Sequence, residues 1–156
     1  MSVLKIRHLP DDSVLRQKAK RVSILDASIQ RLVDDMIETM QQANGVGLAA
    51  PQVGVSLRII VVQMPDEEPI AIINPEIIKR EGEMEVTEGC LSVPGYCAEI
   101  KRPEIIVVKG KDRHGTQFRI KAFGLLAEAL EHEIDHLDGR LYIDHIVSPD
   151  KLNKTE

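Results

Sequence analysis

The run His132-Glu133-Ile134-Asp135-His136 sets two imidazoles and a carboxylate side by side. In an α-helix, residues four apart stand about 40° apart around the axis and about 6 Å apart along it. His132 and His136 would therefore project from one face, close enough to hold one divalent ion. Glu133, beside the first ligand, could handle the proton of a water polarised by that ion. Two ligands and a base in so short a run point to metal-assisted hydrolysis.

A catalytic site needs a third protein ligand and one open position. His145 follows His136 across the Gly139 turn and a strand expected at Leu141-Tyr142-Ile143, and reads as a surface or strand-end histidine. His8 and His114 fall in loops and should face solvent. Cys90 is the better candidate. It lies in Glu88-Gly89-Cys90-Leu91-Ser92, where glycine lets the backbone approach another element closely. Cys97 reads as an inert buried thiol. A thiolate ligand favours a soft or borderline metal over Mg or Ca, and iron(II), zinc, nickel or cobalt would all fit.

A third segment, Gly45-Val46-Gly47-Leu48-Ala49-Ala50-Pro51-Gln52, describes a backbone that packs tightly and lets something come close. It is no phosphate loop, because no Lys-Ser or Lys-Thr follows. Taken alone it reads as a helix stop and a tight turn. Gln52 adds a side-chain amide that donates without titrating. With the Leu91 backbone N–H and a metal, it could hold a developing oxyanion.

The elements that must position these groups follow from periodicity. A short helix is expected at residues 11–20, opening at Asp11 or Asp12. A longer one runs from about Asp26 to Gln42, with Ile29, Leu32, Val33, Met36, Ile37 and Met40 at helical spacing. Arg58-Ile59-Ile60-Val61-Val62 reads as a buried strand. Ile70–Ile73 forms a strand that stops at Asn74-Pro75. Glu76–Lys79, Glu104–Val108 and Thr116–Ile120 form further strands, the last two joined by a turn at Asp112–Gly115. Helical period returns from Phe123 to Leu137. In this helix Leu126, Leu130, Ile134 and Leu137 form one stripe, facing a sheet. Leu125, Ala129, His132 and His136 form a second stripe, able to line a pocket. Glu128, Glu131 and Asp135 lie elsewhere. The charged tail from Asp150 to Glu156 should fray. The fold class expected is α+β, with mostly antiparallel sheets packed around a central metal-binding helix and N-terminal helices.

The chain has 156 residues, which fits one domain over 1–156 with a real core. Little aromatic content makes that core aliphatic. The formal charge of −5 gives no basic patch for nucleic acid or an anionic membrane. No apolar run approaches a membrane span. Cys90 and Cys97 are too few for a disulfide framework. Neither a secretory signal nor a transit peptide is legible at the start, so the cytoplasm is expected.

Together, the three segments resemble the signatures of the peptide deformylase family, of bacterial type: Gly-x-Gly-x-Ala-Ala-x-Gln, Glu-Gly-Cys-x-Ser and His-Glu-x-x-His with its inner Asp. Every fixed position is filled, and order and separation agree. The resemblance implies a hydrolase that removes the N-terminal formyl group from formyl-methionine of newly synthesised polypeptides, releasing formate. It implies that Cys90, His132 and His136 bind the metal, with iron(II) the native ion and zinc, nickel or cobalt able to replace it. Glu133 would be the general acid/base, and Gln52 and the Leu91 amide would complete the oxyanion site. Val46 and Gly47 would hold the substrate in extended form. Val86, Leu125, Ala129 and His132 would wall the methionine pocket, and Glu88 would pair with Arg102 in support. Glu128 departs from relatives, which often carry an apolar residue near the pocket mouth, and a long C-terminal helix of some relatives is not expected. Partners implied are N-formylmethionyl nascent peptides, with association with the ribosome left open. No nucleic acid binding of its own, no membrane and a monomeric state are expected.

Rival readings use the same residues differently. A zinc endopeptidase would need a third His or Glu ligand and would leave Cys90 idle. A non-catalytic relative would have lost Glu133, a ligand or Gln52. A structural zinc site would need four protein ligands, and three candidates are present.

Overall fold

Helix α1 (Ala27–Gln42) begins where the Asp26 side chain accepts a hydrogen bond from the Ile29 amide at 3.1 Å, satisfying one of the free N–H groups of the first turn. It ends before Asn44, which takes a φ of 56°. The computed structural model describes residues 2–9, 12–146 and 152–155. After α1 come β1 (Gly47–Ala49), β2 (Ile59–Val62), β3 (Ile70–Glu81), β4 (Met84–Cys90), β5 (Val93–Arg102), β6 (Ile105–Lys111) and β7 (Gln117–Phe123). Helix α2 (Gly124–Leu137) and the short β8 (Leu152–Lys154) follow.

The strands form two antiparallel sheets. One has the order β1-β2-β3-β6-β7 and the other β4-β5-β8. The continuous apolar run of β2 is explained by burial on both faces. Ile60 and Val62 point with Ile72, Ile106 and Val108 towards Leu130, Ile134 and Leu137 of α2. Ile59 and Val61 point with Ile73 towards Val33, Met36 and Met40 of α1. The sheet is thus held between the two helices, and α2 carries the His-Glu-x-x-His run. Fold class and the apolar stripe of α2 are as expected from the sequence.

Several local expectations are corrected. Residues 11–20 do not form a helix. A single 3-10 turn spans Ser13–Arg16, and beyond it the backbone is engaged elsewhere: the Ala19 amide donates to Leu137 O at 2.7 Å, and Lys20 bridges to Leu57. Asp11 lies outside the described residues. Asn74-Pro75 does not end a strand. The strand continues through a register shift between Ile73 and Glu76, with Asn74 at a φ of 52°, so proline meets no ladder bond it would have to break. Tyr142–His145 is a 3-10 turn rather than a strand. Leu152–Lys154 is not frayed but pairs with β5. Asp150, Lys151 and Glu156 of the same tail lie outside the described residues. Strands β4 and β5 escaped sequence reading because charged residues and glycines interrupt their pattern. Their pairing is nevertheless regular up to a bulge at Glu88/Cys90.

Candidate metal centre and active site

Helix α2 brings His132, Glu133 and His136 beneath β1, and the bulge that closes β4 presents Cys90 to them. The Cys90 Sγ lies 3.4 Å from His136 Nε2, and the two Nε2 atoms lie 3.3 Å apart. All three donor atoms fall within 4.8 Å of one another. The set is one thiol and two imidazoles, which suits a borderline transition metal and not a hard cation.

The second layer fits the same ion. His132 Nδ1 lies 2.6 Å from Glu88 Oε1, an arrangement that fixes the ring and leaves Nε2 as the ligand atom. Burial works against a charged His132. Yet the Glu133 charge and hydrogen bonds donated to Cys90 and Glu88 hold it well above the ordinary imidazole range, so the cluster favours positive charge at this point. Burial, reinforced by His132, holds His136 well below that range, in the neutral form a ligand needs.

Glu133 is buried and lines the cavity described below. Burial pushes its carboxyl up to about 7, where a general base is most useful at neutral pH. Its Oε1 has no hydrogen-bond partner among the described residues. The close packing of this carboxylate explains one glycine: a Cβ on Gly47 would lie 2.5 Å from Glu133 Oε2.

Gln52 sits in the 3-10 turn Ala50–Val53 that follows β1. Its Oε1 accepts from the Ala49 amide at 2.9 Å. That bond turns its Nε2 towards Ser92 Oγ at 3.2 Å and Cys90 Sγ at 3.5 Å. The amide therefore stands at the cluster as a fixed donor. The Ser92 amide also reaches Cys90 Sγ, at 3.4 Å.

Beneath the cluster lies an ion network centred on Arg102, which is 1% exposed. Its Nε and Nη2 each donate to Glu88 at 2.8 Å, a two-pronged pair. Its Nη1 donates to Glu131 at 3.0 Å and Asp135 at 2.8 Å. Burial would raise the Glu88 carboxyl, but Arg102 and His132 hold it down at about 2. The Glu88–Arg102 pair is the one the family resemblance implies. Glu131 and Asp135 were not, and they are buried rather than set aside on a free face. His145, at the surface, closes the network with Nε2 2.8 Å from Asp135. His8 and His114 are exposed, as expected.

A cavity of about 410 Å³ opens over the cluster, lined among others by Val46, Gly47, Leu91, Leu125, Glu128 and Ala129. Glu88, Cys90, Gln52, His132 and Glu133 also line it. Val86 does not. It packs half-buried with Ala98, Ile100 and Tyr142 in the small core beside β4 and β5. Glu128 stands in the wall, where burial and then the charge of Glu88 push it up to about 7. Strand β1 lies at the end of its sheet, so its outer edge runs alongside the cavity.

An antiparallel α+β fold with a Cys/His/His cluster, a buried glutamate and a fixed amide beside a cavity defines a metallo-hydrolase of the kind that cleaves an amide. The sequence pattern of the polypeptide deformylase family matches residues 3–152. The chain is 58% identical to a peptide deformylase of Dehalococcoides mccartyi over 155 residues, 99% of this chain and 92% of that protein. It superposes on a peptide deformylase of Legionella pneumophila with a TM-score of 0.92 at 51% identity, covering 96% of this chain and 89% of that one. A peptide deformylase of Ehrlichia chaffeensis, solved in complex with actinonin, gives a TM-score of 0.92 at 43% identity, over 97% of this chain and 92% of that one. The chain belongs to the polypeptide deformylase family, whose name states the reaction: loss of a formyl group from a peptide.

Proposed function

We propose that the chain acts as a single catalytic domain that hydrolyses the N-terminal formyl group of formyl-methionyl polypeptides, releasing formate and a free amine. One observation carries the reading. Three soft or borderline donors converge within 4.8 Å beside a buried carboxylate and a fixed amide, at the floor of an open cavity. Cys90, His132 and His136 hold the ion. The family resemblance implies iron(II) as the native metal, and a mixed S/N set would also take zinc, nickel or cobalt. When bound, the ion supplies Lewis-acid character, polarising a carbonyl oxygen and making water more acidic.

The chain's own residues do the rest. Glu133 takes a proton from the attacking water and returns it to the leaving nitrogen, so the amine departs neutral. Gln52 Nε2, held by the Ala49 amide, and the Leu91 N–H meet the oxygen on which negative charge develops. Val46 and Gly47 carry the peptide along the outer edge of β1, in strand-addition geometry. Leu125, Ala129 and His132 wall the side-chain pocket. Val86, on β4, contributes from behind the wall, through its packing against Ala98, Ile100 and Tyr142. Glu88, held by Arg102, keeps His132 in register.

The enzyme works as a monomer in the cytoplasm on nascent chains, and contact with the ribosome would bring it to them. A formate-release assay on formyl-Met-Ala-Ser, run anaerobically with metal analysis of the same sample, tests the reading. Formate should appear in proportion to iron content. Cleavage of an internal bond in a blocked peptide, without formate release, would support a peptidase instead.

A further inference from the structure

A second concavity, of about 460 Å³, lies on the five-stranded sheet and shares no lining residue with the metal cavity. Backbone features build it. Strand β3 bulges at Asn74-Pro75, and Gly110 of β6 faces the bulge. A Cβ on Gly110 would lie 2.6 Å from Ile72 Cγ2 and 3.2 Å from Ile73 O, so glycine lets the strands pass this closely. The Asn74 side chain accepts from Val22 N at 2.8 Å and donates to Val22 O at 2.9 Å. These bonds fix the neighbouring Arg21 at the groove.

The charge in this groove is lopsided. Arg21, Lys109, Lys111 and Arg119 line it, against one carboxylate among the described lining residues, Glu76. Four cations less one anion leave three positive charges, on a chain whose formal charge is −5. Lys109 Nζ lies 3.6 Å from Glu76. Arg21, Lys111 and Arg119 have no ion pair among the described residues. Lys109 and Arg119 are also direct cross-strand partners, a position where like charges weaken pairing. Lys111 stands opposite Ile73, so these cations project from the side of the sheet that α1 covers over β2 and leaves bare here.

We propose that this groove binds the phosphodiester backbone of single-stranded nucleic acid. Lys109 and Lys111 are spaced by about 7 Å along β6, and Arg119 lies about 5 Å away on the next strand. They form a row that meets successive phosphates rather than a cup closed on one. Arg21 and Arg119 add planar forks suited to phosphate oxygens. A concavity of about 460 Å³ suits an extended chain better than a flat bilayer. The inference stands apart from the deformylase reading.

Fluorescence anisotropy with a labelled twelve-nucleotide oligouridylate tests it. With three net charges engaged and a single-strand slope of about 0.7 per charge, affinity should fall about twenty-fold between about 50 and about 200 mM salt. The double variant Lys111→Gln/Arg119→Gln should lose at least about ten-fold in affinity and most of that salt dependence. It should still release formate, and it should unfold no earlier than the parent, because one like-charge pair is gone. Arg21→Gln, outside the sheet, repeats the test without touching strand pairing. Absence of binding at low salt would overturn the proposal. So would equal affinity for inorganic phosphate, polyglutamate or anionic vesicles, or variants that bind like the parent.

Discussion

Glu88 Oε1 lies 2.6 Å from Nδ1 of His132 while both oxygens of the same carboxylate accept from Arg102 at 2.8 Å. One buried side chain thus ties the metal cluster on α2 to β5. Glu88→Gln should keep the fold but loosen the His132 ring, lowering metal affinity by about 10–100-fold. Chelator competition, monitored by metal content, reads this directly. Unchanged affinity would mean that Glu88 serves only to neutralise Arg102.

Glu133→Ala should retain one metal per chain and lose about 10²–10⁴-fold in turnover, the usual contribution of a positioned acid/base. Gln52→Ala should lose about 10²–10³-fold in kcat, the cost of one oxyanion donor. Metal analysis beside kcat separates these effects from loss of the ion. Gly47→Ala makes the same point sterically, because its Cβ would invade the place of Glu133 Oε2.

Arg102 pairs with buried Glu88, which also meets His132, and is one of the partners of Glu131 and Asp135 among the described residues. Arg102→Met leaves these carboxylates under-compensated, and removing one partner of a buried ion network costs about 3–5 kcal/mol. Urea unfolding of the metal-loaded protein should show the loss. A variant as stable as the parent would mean that water reaches this network freely.

Glu128 sits at about 7, above the 4.5 of an ordinary glutamate, with burial the main cause. The folded chain therefore binds this proton more tightly than the unfolded chain does. Stability is unaffected below the ordinary value and falls as pH rises from there through about 7, since ionising Glu128 is costlier when folded. Glu128→Gln removes that loss. Its unfolding midpoint should match the parent near pH 4 and exceed it at pH 8. The reverse order would show that the carboxylate finds a favourable partner once charged.

Much of the site was legible because its chemistry is local in sequence. Helical spacing alone places His132 and His136 on one face and Leu130, Ile134 and Leu137 on another. Cys90 and Gln52 were legible as residue types, but their distances depend on the Cys90 bulge and on the bond from the Ala49 amide. The Arg102 network was mostly illegible. Glu131 and Asp135 look like ordinary exposed acids until β5 supplies a cation from 29 and 33 residues away. Strands β4 and β5 were missed because their outer positions are charged, which hides the period of two. Net charge likewise concealed the cationic groove, since Lys109, Lys111 and Arg119 meet only through the pairing of β6 and β7, and Arg21 joins them only through the Asn74–Val22 bonds.

The place of β1 at the rim of its sheet bears on breadth of service. A polypeptide laid along such a rim is gripped through amides common to every residue. Selectivity would then rest on what enters the recess at the amino end, with the residues further along gripped through backbone alone. One small protein built this way can attend to the products of an entire genome without recognising any of them individually.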